Sequence, residues 1–378
     1  MRTVDRYLLS QFLRGFMLTW ISLMGLYVVA DFMGNLSAFV DHGQETGSLW
    51  RVAASYYGAR LPWFFDLAGR VVVLLSAVLT LGTLHRHNEL TAILAAGISP
   101  RRIAKPLILA GIVISLIAVA NREFGVPRVR DLLCRSVKEL SGKRQAHITP
   151  QYDHATDILF EGDAIQYETS SIDNPRFHLA TTWAPIGHSL TAKSATYQAA
   201  TAQHPAGYLL NGLEPGIDWR EIPSYRFGNE PVVLTPRDAP WLTDPASIFV
   251  VSNLTLEQLH RGQQWQQYSS TVQLVAGLHN RSLDYGANTR VLIHSRFVQP
   301  LLDVTLLVMG LPIALGADRK GVFVAAGKTI LLVIFFSLTV IVSNALGGHG
   351  VLTPALAAWA PLMLFAPLMV FQAGPLWD

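Results

Sequence analysis

Three groups of side chains have types and spacing from which chemistry could be built. Residues 322–329 (VFVAAGKT) end like the loop that cradles nucleotide phosphates on a glycine-rich backbone and reaches them with a lysine. Here Val322 stands where the leading glycine belongs, and the apolar run that follows suits a lipid-facing helix better than the flank of a soluble sheet. Lys328 therefore reads as an interfacial anchor, and the chain is expected to bind no cofactor of its own. His147, Asp153, His154 and Asp157 lie close together, but their spacing matches no compact metal motif, so they read as a solvated polar face and no metal site is expected. Asp66 and Arg70 stand four residues apart in an apolar stretch, on one helical face where they can pair, and Asp303 lies one to two turns into another apolar stretch. With no clustered nucleophile, metal set or phosphate loop, an enzyme is not expected. The single cysteine, Cys134, excludes an internal disulfide.

The elements that must position these groups are mostly membrane spans. Charged residues make up 15% of the 378 residues, and the mean hydropathy is +0.32, as expected when about a third of a chain faces lipid. A bilayer-spanning helix needs roughly 20 mostly apolar residues. Runs suited to that role cover residues 15–30, 61–84, 106–121, 297–315, 329–346 and 351–370, which divide into two groups of three. Arg2, Arg6 and Arg14 before the first run could mark a secretory signal, but no small-x-small cleavage pattern follows Val29, so the first helix is expected to stay attached. Basic residues set the orientation. Arg2, Arg6 and Arg14, then Arg86, Arg101, Arg102 and Lys105, then Arg319, Lys320 and Lys328 all fall on one face, which is expected to be cytoplasmic together with both termini. The opposite face receives a loop at 34–60, a short turn at 347–350 and the whole middle of the chain.

That middle reads as β-structure. Residues 157–167, 177–183, 189–198 and 247–252 mix β-branched and aromatic residues with polar ones, separated by turns such as Asp173-Asn174-Pro175 and Glu214-Pro215-Gly216. The spacing favours a sandwich or open barrel over a parallel sheet, and the polar, Gln-rich stretch from 255 to 288 reads as helical. The expected layout is membrane helices one to three in 1–122, a β-domain with linkers in 123–290, and membrane helices four to six in 291–378. Between the second and third spans, Asn88 can cap a short helix over about 86–98, with Glu89 at its positive end, Leu90, Ile93 and Leu94 as an apolar stripe, and Gly97 with Pro100 to stop it. Such a helix either lies on the bilayer or offers a docking surface to a soluble partner.

The Asp-Arg-Tyr start with its phenylalanine-rich first span, the segment NELTAILAAGIS at 88–99, SRFVQPL at 295–301 and the Leu311-Pro312 break resemble the LptF/LptG (YjgP/YjgQ) family of lipopolysaccharide-transport permeases, in order over nearly the whole chain. The resemblance implies an integral membrane fold of six transmembrane helices, three plus three, with an inserted periplasmic all-β jellyroll-like domain. It also implies a half-permease of an ATP-binding-cassette exporter in the bacterial inner membrane. Such a subunit pairs with a paralogous permease or with itself, and with a cytoplasmic ATPase homodimer that uses the ATP. It extracts lipopolysaccharide or a related anionic glycolipid and passes it to a periplasmic jellyroll bridge protein. By the same resemblance, Glu89, with Leu90, Ala92, Ile93, Ala96 and Gly97, takes the role of contacting the ATPase. One departure is that some members carry a lysine in the first span that meets substrate phosphate, whereas this chain has none between Arg14 and Arg51.

Extraction of a multi-chain lipid is uphill by about 0.8 kcal/mol for each CH₂ exposed to water, so a route must shelter the chains while fixing an anionic head group. Arg51, Arg60, Arg70, Arg122, Arg290 and Arg296, near the expected outer membrane edge, are the head-group candidates, because a planar guanidinium binds phosphate bidentately; each could equally be an interface anchor or the partner of a nearby acid. In the β-domain, Ile158, Phe160, Ile165, Tyr167, Leu179, Trp183, Leu190 and Tyr197 are the inward-facing candidates, which either enclose acyl chains or fill a sandwich core. Two further classes stay open: a membrane-anchored periplasmic scaffold or assembly protein, and a secondary transporter, for which Asp303 would be the mid-membrane acid.

Overall fold

The computed structural model describes residues 3–134, 145–146, 148–166, 169–184, 186–213, 217–228, 230–283, 286–316 and 322–377. The chain begins with α1 (Thr3–Gly34), α2 (Leu36–Thr46), α3 (Leu49–Arg86), α4 (Glu89–Ala95) and α5 (Pro100–Ala120), which runs through one π turn (Asn121–Gly125) into α6 (Val126–Leu133). Strands follow as β1 (Gln145–Ala146), β2 (Gln151–Asp153), β3 (Ile158–Glu161), β4 (Ala164–Gln166), β5 (Ser171–Asp173), β6 (Arg176–Trp183), β7 (Gly187–Thr191), β8 (Ser194–Gln198), β9 (Gly207–Asn211), β10 (Tyr225–Phe227), β11 (Glu230–Leu234) and β12 (Ile248–Val251). Then come α7 (Leu256–Tyr268), α8 (Thr271–Gly277), α9 (Ala287–Leu315), α10 (Val322–Gly348) and α11 (Pro354–Trp377). Two compact units result, Met1–Val129 with Gly286–Asp378, and Arg130–Tyr285.

In the first unit, six helices among the described residues are long and apolar enough to cross a membrane: α1, α3, α5 with its continuation, α9, α10 and α11. A helix satisfies its backbone internally, which is why apolar runs of this length take that form in lipid. The helices outrun the apolar stretches, because intrahelical hydrogen bonding does not stop where hydrophobicity does. The segment 34–60, expected as a loop, is helical throughout most of its length as α2 and the first turns of α3. Ser48 caps α3 by accepting from the Arg51 amide at 3.4 Å. The fully buried Phe39 ring of α2 packs against Phe32, Tyr56 and Tyr57, with centroids 5.1, 5.3 and 5.8 Å away.

Helices α3, α5 and α9 form the centre of this unit, supplying most of one continuous buried cluster that includes Leu74, Leu81, Leu107, Leu306, Leu307 and Leu311. Two glycines let the helices approach. A Cβ at Gly111 would lie 2.3 Å from Leu307 Cδ2, and one at Gly310 would lie 2.2 Å from Leu74 Cδ1, so each glycine is the socket for a leucine of a neighbouring helix.

The second unit is all-antiparallel in its strand pairing. One eight-stranded sheet has the order β1-β4-β5-β8-β9-β12-β11-β10, and a four-stranded sheet has the order β2-β3-β6-β7. Two of the expected strands, 157–167 and 189–198, are each broken in two by a short turn that moves the chain from one sheet to the other: β3 to β4, and β7 to β8. A third switch, β5 to β6, turns at Asn174, whose φ of +45° an asparagine tolerates better than most residues. The three switches stack on one another, with Asp163 N donating to Asp173 O at 3.0 Å, Asn174 N to Lys193 O at 3.0 Å and Ala192 N to Pro175 O at 3.3 Å. This repeated crossing closes two sheets over one core. The Gln-rich stretch is helical as α7 and α8, each opened by a capping box, Thr255 with Gln258 and Ser270 with Gln273.

The glycine sockets generate a prediction. Gly310→Ala forces Leu74 to move inside a closed core and is expected to destabilise the purified chain by about 1–3 kcal/mol. Gly25→Ala, where nothing lies within 4 Å, is expected to leave the thermal unfolding temperature in detergent unchanged or slightly raised. Equal behaviour of the two variants would contradict the packing described.

Candidate functional site

Six charged residues of α3, α9 and the π turn that continues α5 form a ladder inside the membrane unit. Asp66 and Arg70 share a face of α3 but take different partners, which corrects the expectation that they pair with each other. Asp66 Oδ1 meets Arg122 Nη2 at 2.7 Å and accepts from Arg122 Nε at 2.8 Å. Arg70 Nε lies 3.7 Å from Asp303 Oδ1, and Asp303 is held from behind by Ser115 Oγ at 3.1 Å and by Gln299 Nε2 at 3.0 Å. A third contact joins Arg296 Nη1 to Glu123 Oε1 at 4.0 Å. The reason for the exchange is that a same-helix pair one turn apart is worth only about 0.2–0.5 kcal/mol, while each charge on the neighbouring helices would be stranded in lipid without an opposite one.

At about 1.5 Å of rise per residue, Asp303, Arg70 and Ser115 lie about 18–24 Å along their helices from the ends nearest α4, and Asp66, Arg122 and Arg296 about 29–33 Å. The ladder thus runs inward from the far edge of the span. The space enclosed between its rungs is about 20 Å³, room for a single water. Where Arg122 and Glu123 leave α5, the helix takes its one π turn, and Asn121 Nδ2 donates to Pro62 O at 2.7 Å, tying that turn to the proline of α3. Single π turns inside α-helices recur at functional sites.

The other head-group candidates differ in setting. Arg60 is buried, its guanidinium carbon 3.4 Å from the centre of the Tyr56 ring, a cation–π arrangement. Arg51 and Arg290 are exposed. In the first span, the charge that faces this end is an acid: Tyr57 donates its hydroxyl to Asp31 Oδ2 at 2.9 Å.

At the opposite end of α3 and α5 stands α4. Leu90 is fully buried in the core cluster, and Ile93 and Ile98 are half-buried against it. Thr91, Ala92, Leu94, Ala96 and Gly97 are exposed, so the stripe of Leu90, Ile93 and Leu94 divides, with Leu94 facing out at 38% exposure. Asn88 precedes the helix in the left-handed region at φ +61° and makes no side-chain cap bond, which corrects its reading as the cap. Gly97 at φ +78° turns the chain away, and Pro100 starts α5 at a position where its missing N–H costs nothing. Glu89 is held from another helix: Tyr7 of α1 donates its hydroxyl to Glu89 Oε2 at 2.5 Å.

In the β-unit, Ile158, Phe160, Ile165, Leu179, Trp183 and Leu190 are buried in one cluster, with Tyr197 half-buried against it; Tyr167 lies outside the described residues. The rings fill the space between the sheets: Phe160 to Phe177 is 4.4 Å between centroids, Phe160 to Tyr208 5.5 Å, and Trp183 to Trp219 5.8 Å. Tyr208 donates to Leu254 O at 2.8 Å, and burial raises its phenol well above the ordinary value. Asp153 is fully buried, not solvated as expected, and its carboxylate accepts from Ser252 Oγ at 2.5 Å and from the Ala155 and Thr156 amides at 2.9 and 3.3 Å. His147 lies outside the described residues, and among those described no three His, Cys, Asp or Glu side chains converge. Residues 322–329 are part of α10, with Thr329 Oγ1 donating back to Ala325 O at 2.9 Å and Lys328 exposed.

Sequence reasoning missed Ser115, Glu123, Gln299, Tyr7, Tyr208 and Trp219. Gln299 had a signal, a polar residue four before Asp303 within one span; Tyr7 had none, because its partner is 82 residues away. The model of the family described as lipopolysaccharide export system permease LptF/LptG matches residues 6–157 and 240–373, covering both membrane halves and the two ends of the β-unit. No curated protein matches the chain.

The ladder predicts a specific pattern of coupling. Asp66→Asn leaves Arg122 without its carboxylate and is expected to destabilise the chain, and a thermal double-mutant cycle of Asp66→Asn with Arg122→Gln should give a coupling of about 1–3 kcal/mol. The cycle of Asp66→Asn with Arg70→Gln should give a smaller value. A larger coupling to Arg70 than to Arg122 would contradict the interhelical pairing.

Proposed function

We propose, on the premise that this chain belongs to the LptF/LptG family of lipopolysaccharide export permeases, that it is one half of an ATP-binding-cassette exporter in which α4 receives the force of a separate ATPase. The chain is a multi-pass inner-membrane permease subunit, and hydrolysis is assigned to the partner. The observation that carries this reading is α4 itself: a seven-residue helix inserted between two spans, anchored by Leu90 and turning Ala92 and Leu94 outward, with Ala96 and Gly97 exposed just after it and a carboxylate at its start. A surface of small and apolar residues beside one fixed acid suits a cleft on a soluble protein that carries a cation, and the basic residues around it, Arg86, Arg101, Arg102 and Lys105, support a cytoplasmic location by the positive-inside rule. On that orientation the β-unit is periplasmic and both termini are cytoplasmic.

The cargo is an anionic glycolipid, lipopolysaccharide or a close relative. Of the arginines near the outer edge, Arg51 and Arg290 are exposed and can meet a phosphate with little rearrangement, whereas Arg70, Arg122 and Arg296 would first have to leave Asp303, Asp66 and Glu123. Head-group capture therefore begins at the exposed pair, and the ladder is reached only if the helices separate. The second half of the permease is a paralogue or another copy, and a jellyroll bridge protein takes the lipid from the β-unit. For acyl chains to pass within that unit its two sheets must part, since aromatic rings occupy the space between them.

Glu89→Lys is expected to leave the chain folded, its stability lowered by about 1–2 kcal/mol through loss of the Tyr7 bond and of the acid at the helix start, while co-purification of the co-expressed export ATPase falls at least about tenfold, as for a charge reversal at a docking contact. Undiminished co-purification would contradict the docking role.

A further inference from the structure

The bond between α1 and α4 has a direction that the docking reading alone does not supply. Tyr7 stands two turns from Arg14 on α1, partly exposed at 39%, and its hydroxyl oxygen accepts from Gln11 Nε2 at 3.3 Å while its proton goes to Glu89 Oε2 at 2.5 Å. A phenol has one proton to give. With Gln11 occupying an acceptor position, that proton is aimed at Glu89, and the carboxylate is held by one oxygen with Oε1 left for another donor. The residues flanking it do not do this job: Asn88 makes no side-chain cap bond, and Glu89 is the first residue of a seven-residue helix.

From this geometry we infer that Tyr7 is the positioning residue for Glu89: it presents the carboxylate in one rotamer to a cationic group of the ATPase and thereby ties the first turns of α1 to whatever α4 does. The inference rests on the docking role of Glu89. The energetic logic is preorganisation. A free glutamate at a helix start samples several rotamers, and fixing the one that fits the partner lowers the entropy lost on association. The bond is charge-assisted and therefore stronger than a neutral one, although its partial exposure weakens it. A second consequence is mechanical. A displacement of α4 by its partner pulls on α1 through this bond, whereas the burial of Leu90 transmits it to the rest of the helical core.

The test is a double-mutant cycle with an independent structural readout on the full chain. Tyr7→Phe is expected to weaken ATPase association about three- to tenfold when Glu89 is present and to have no further effect in the Glu89→Ala chain. A nitroxide placed at the exposed position 92, in a Cys134→Ser background and without the ATPase, is expected to gain mobility in Tyr7→Phe. Equal loss of association in both backgrounds would overturn the positioning role, because the hydroxyl would then be acting elsewhere. Unchanged association together with unchanged label mobility would overturn it as well. If Glu89→Ala itself leaves association intact, the docking reading fails; the label still reports whether Tyr7 braces α4, and so separates the two failures.

Discussion

Hydrocarbon offers no water to a stranded charge, so an ionised side chain within the span needs a polar partner, best of all an opposite charge, from whatever helix can supply it. That constraint organises the membrane unit. Asp66, Arg70, Arg122, Glu123, Arg296 and Asp303 form three acid–base contacts, each joining two different helices among α3, α5 with its π turn, and α9. Moving any one of these helices would unpair a charge unless its partner moved too. The same three helices hold the glycine sockets at Gly111 and Gly310, so the polar and apolar contacts fix the same arrangement. The remaining spans, α1, α10 and α11, present much more of their surface outward, as Leu18, Met33, Leu331, Ile341 and Phe371 show.

The ladder and α4 occupy opposite ends of one continuous piece of chain. α3 carries Asp66 and Arg70, ends at Arg86 and passes through α4 directly into α5, which leads to Arg122. Helices are stiff along their axes, so a displacement applied to α4 is felt by both partners of the Asp66–Arg122 pair. On the proposed function this is how a nucleotide-driven movement on one side of the membrane would loosen contacts near the other. The π turn and Pro62, bridged by Asn121, lie at the level where α3 and α5 depart from regular helix, which makes that level the natural place for bending.

How much of this was legible in sequence depended on the range of the interactions involved. Apolar runs of the right length fixed the six spans, because the rule that produces a membrane helix is local and needs no partner. The pairing of Asp66 was misread because the i, i+4 rule is also local, while the competing arginine lies 56 residues away on a helix whose rotation no local pattern records. In the β-unit the composition marks the strands, but nothing local divides 157–167 or 189–198 in two; the breaks at Gly162-Asp163 and Ala192-Lys193 are sheet switches, set by stacking against Asp173, Pro175 and Asn211. Asp153 looked like a surface acid because its partner, Ser252, is 99 residues on. The exposed helix was found from Glu89, Gly97 and Pro100, yet its brace, Tyr7, was visible only in three dimensions.

The proposed function requires that α4 meet the cytosol and that the β-unit be periplasmic. Single cysteines in a Cys134→Ser background at two exposed positions, Ala96 beside α4 and Ala200 after β8, address it directly through a maleimide that cannot cross the inner membrane. The account predicts that Ala200→Cys is labelled in intact cells and that Ala96→Cys is labelled only after the inner membrane is opened. Labelling of Ala96→Cys in intact cells with protection of Ala200→Cys would contradict it.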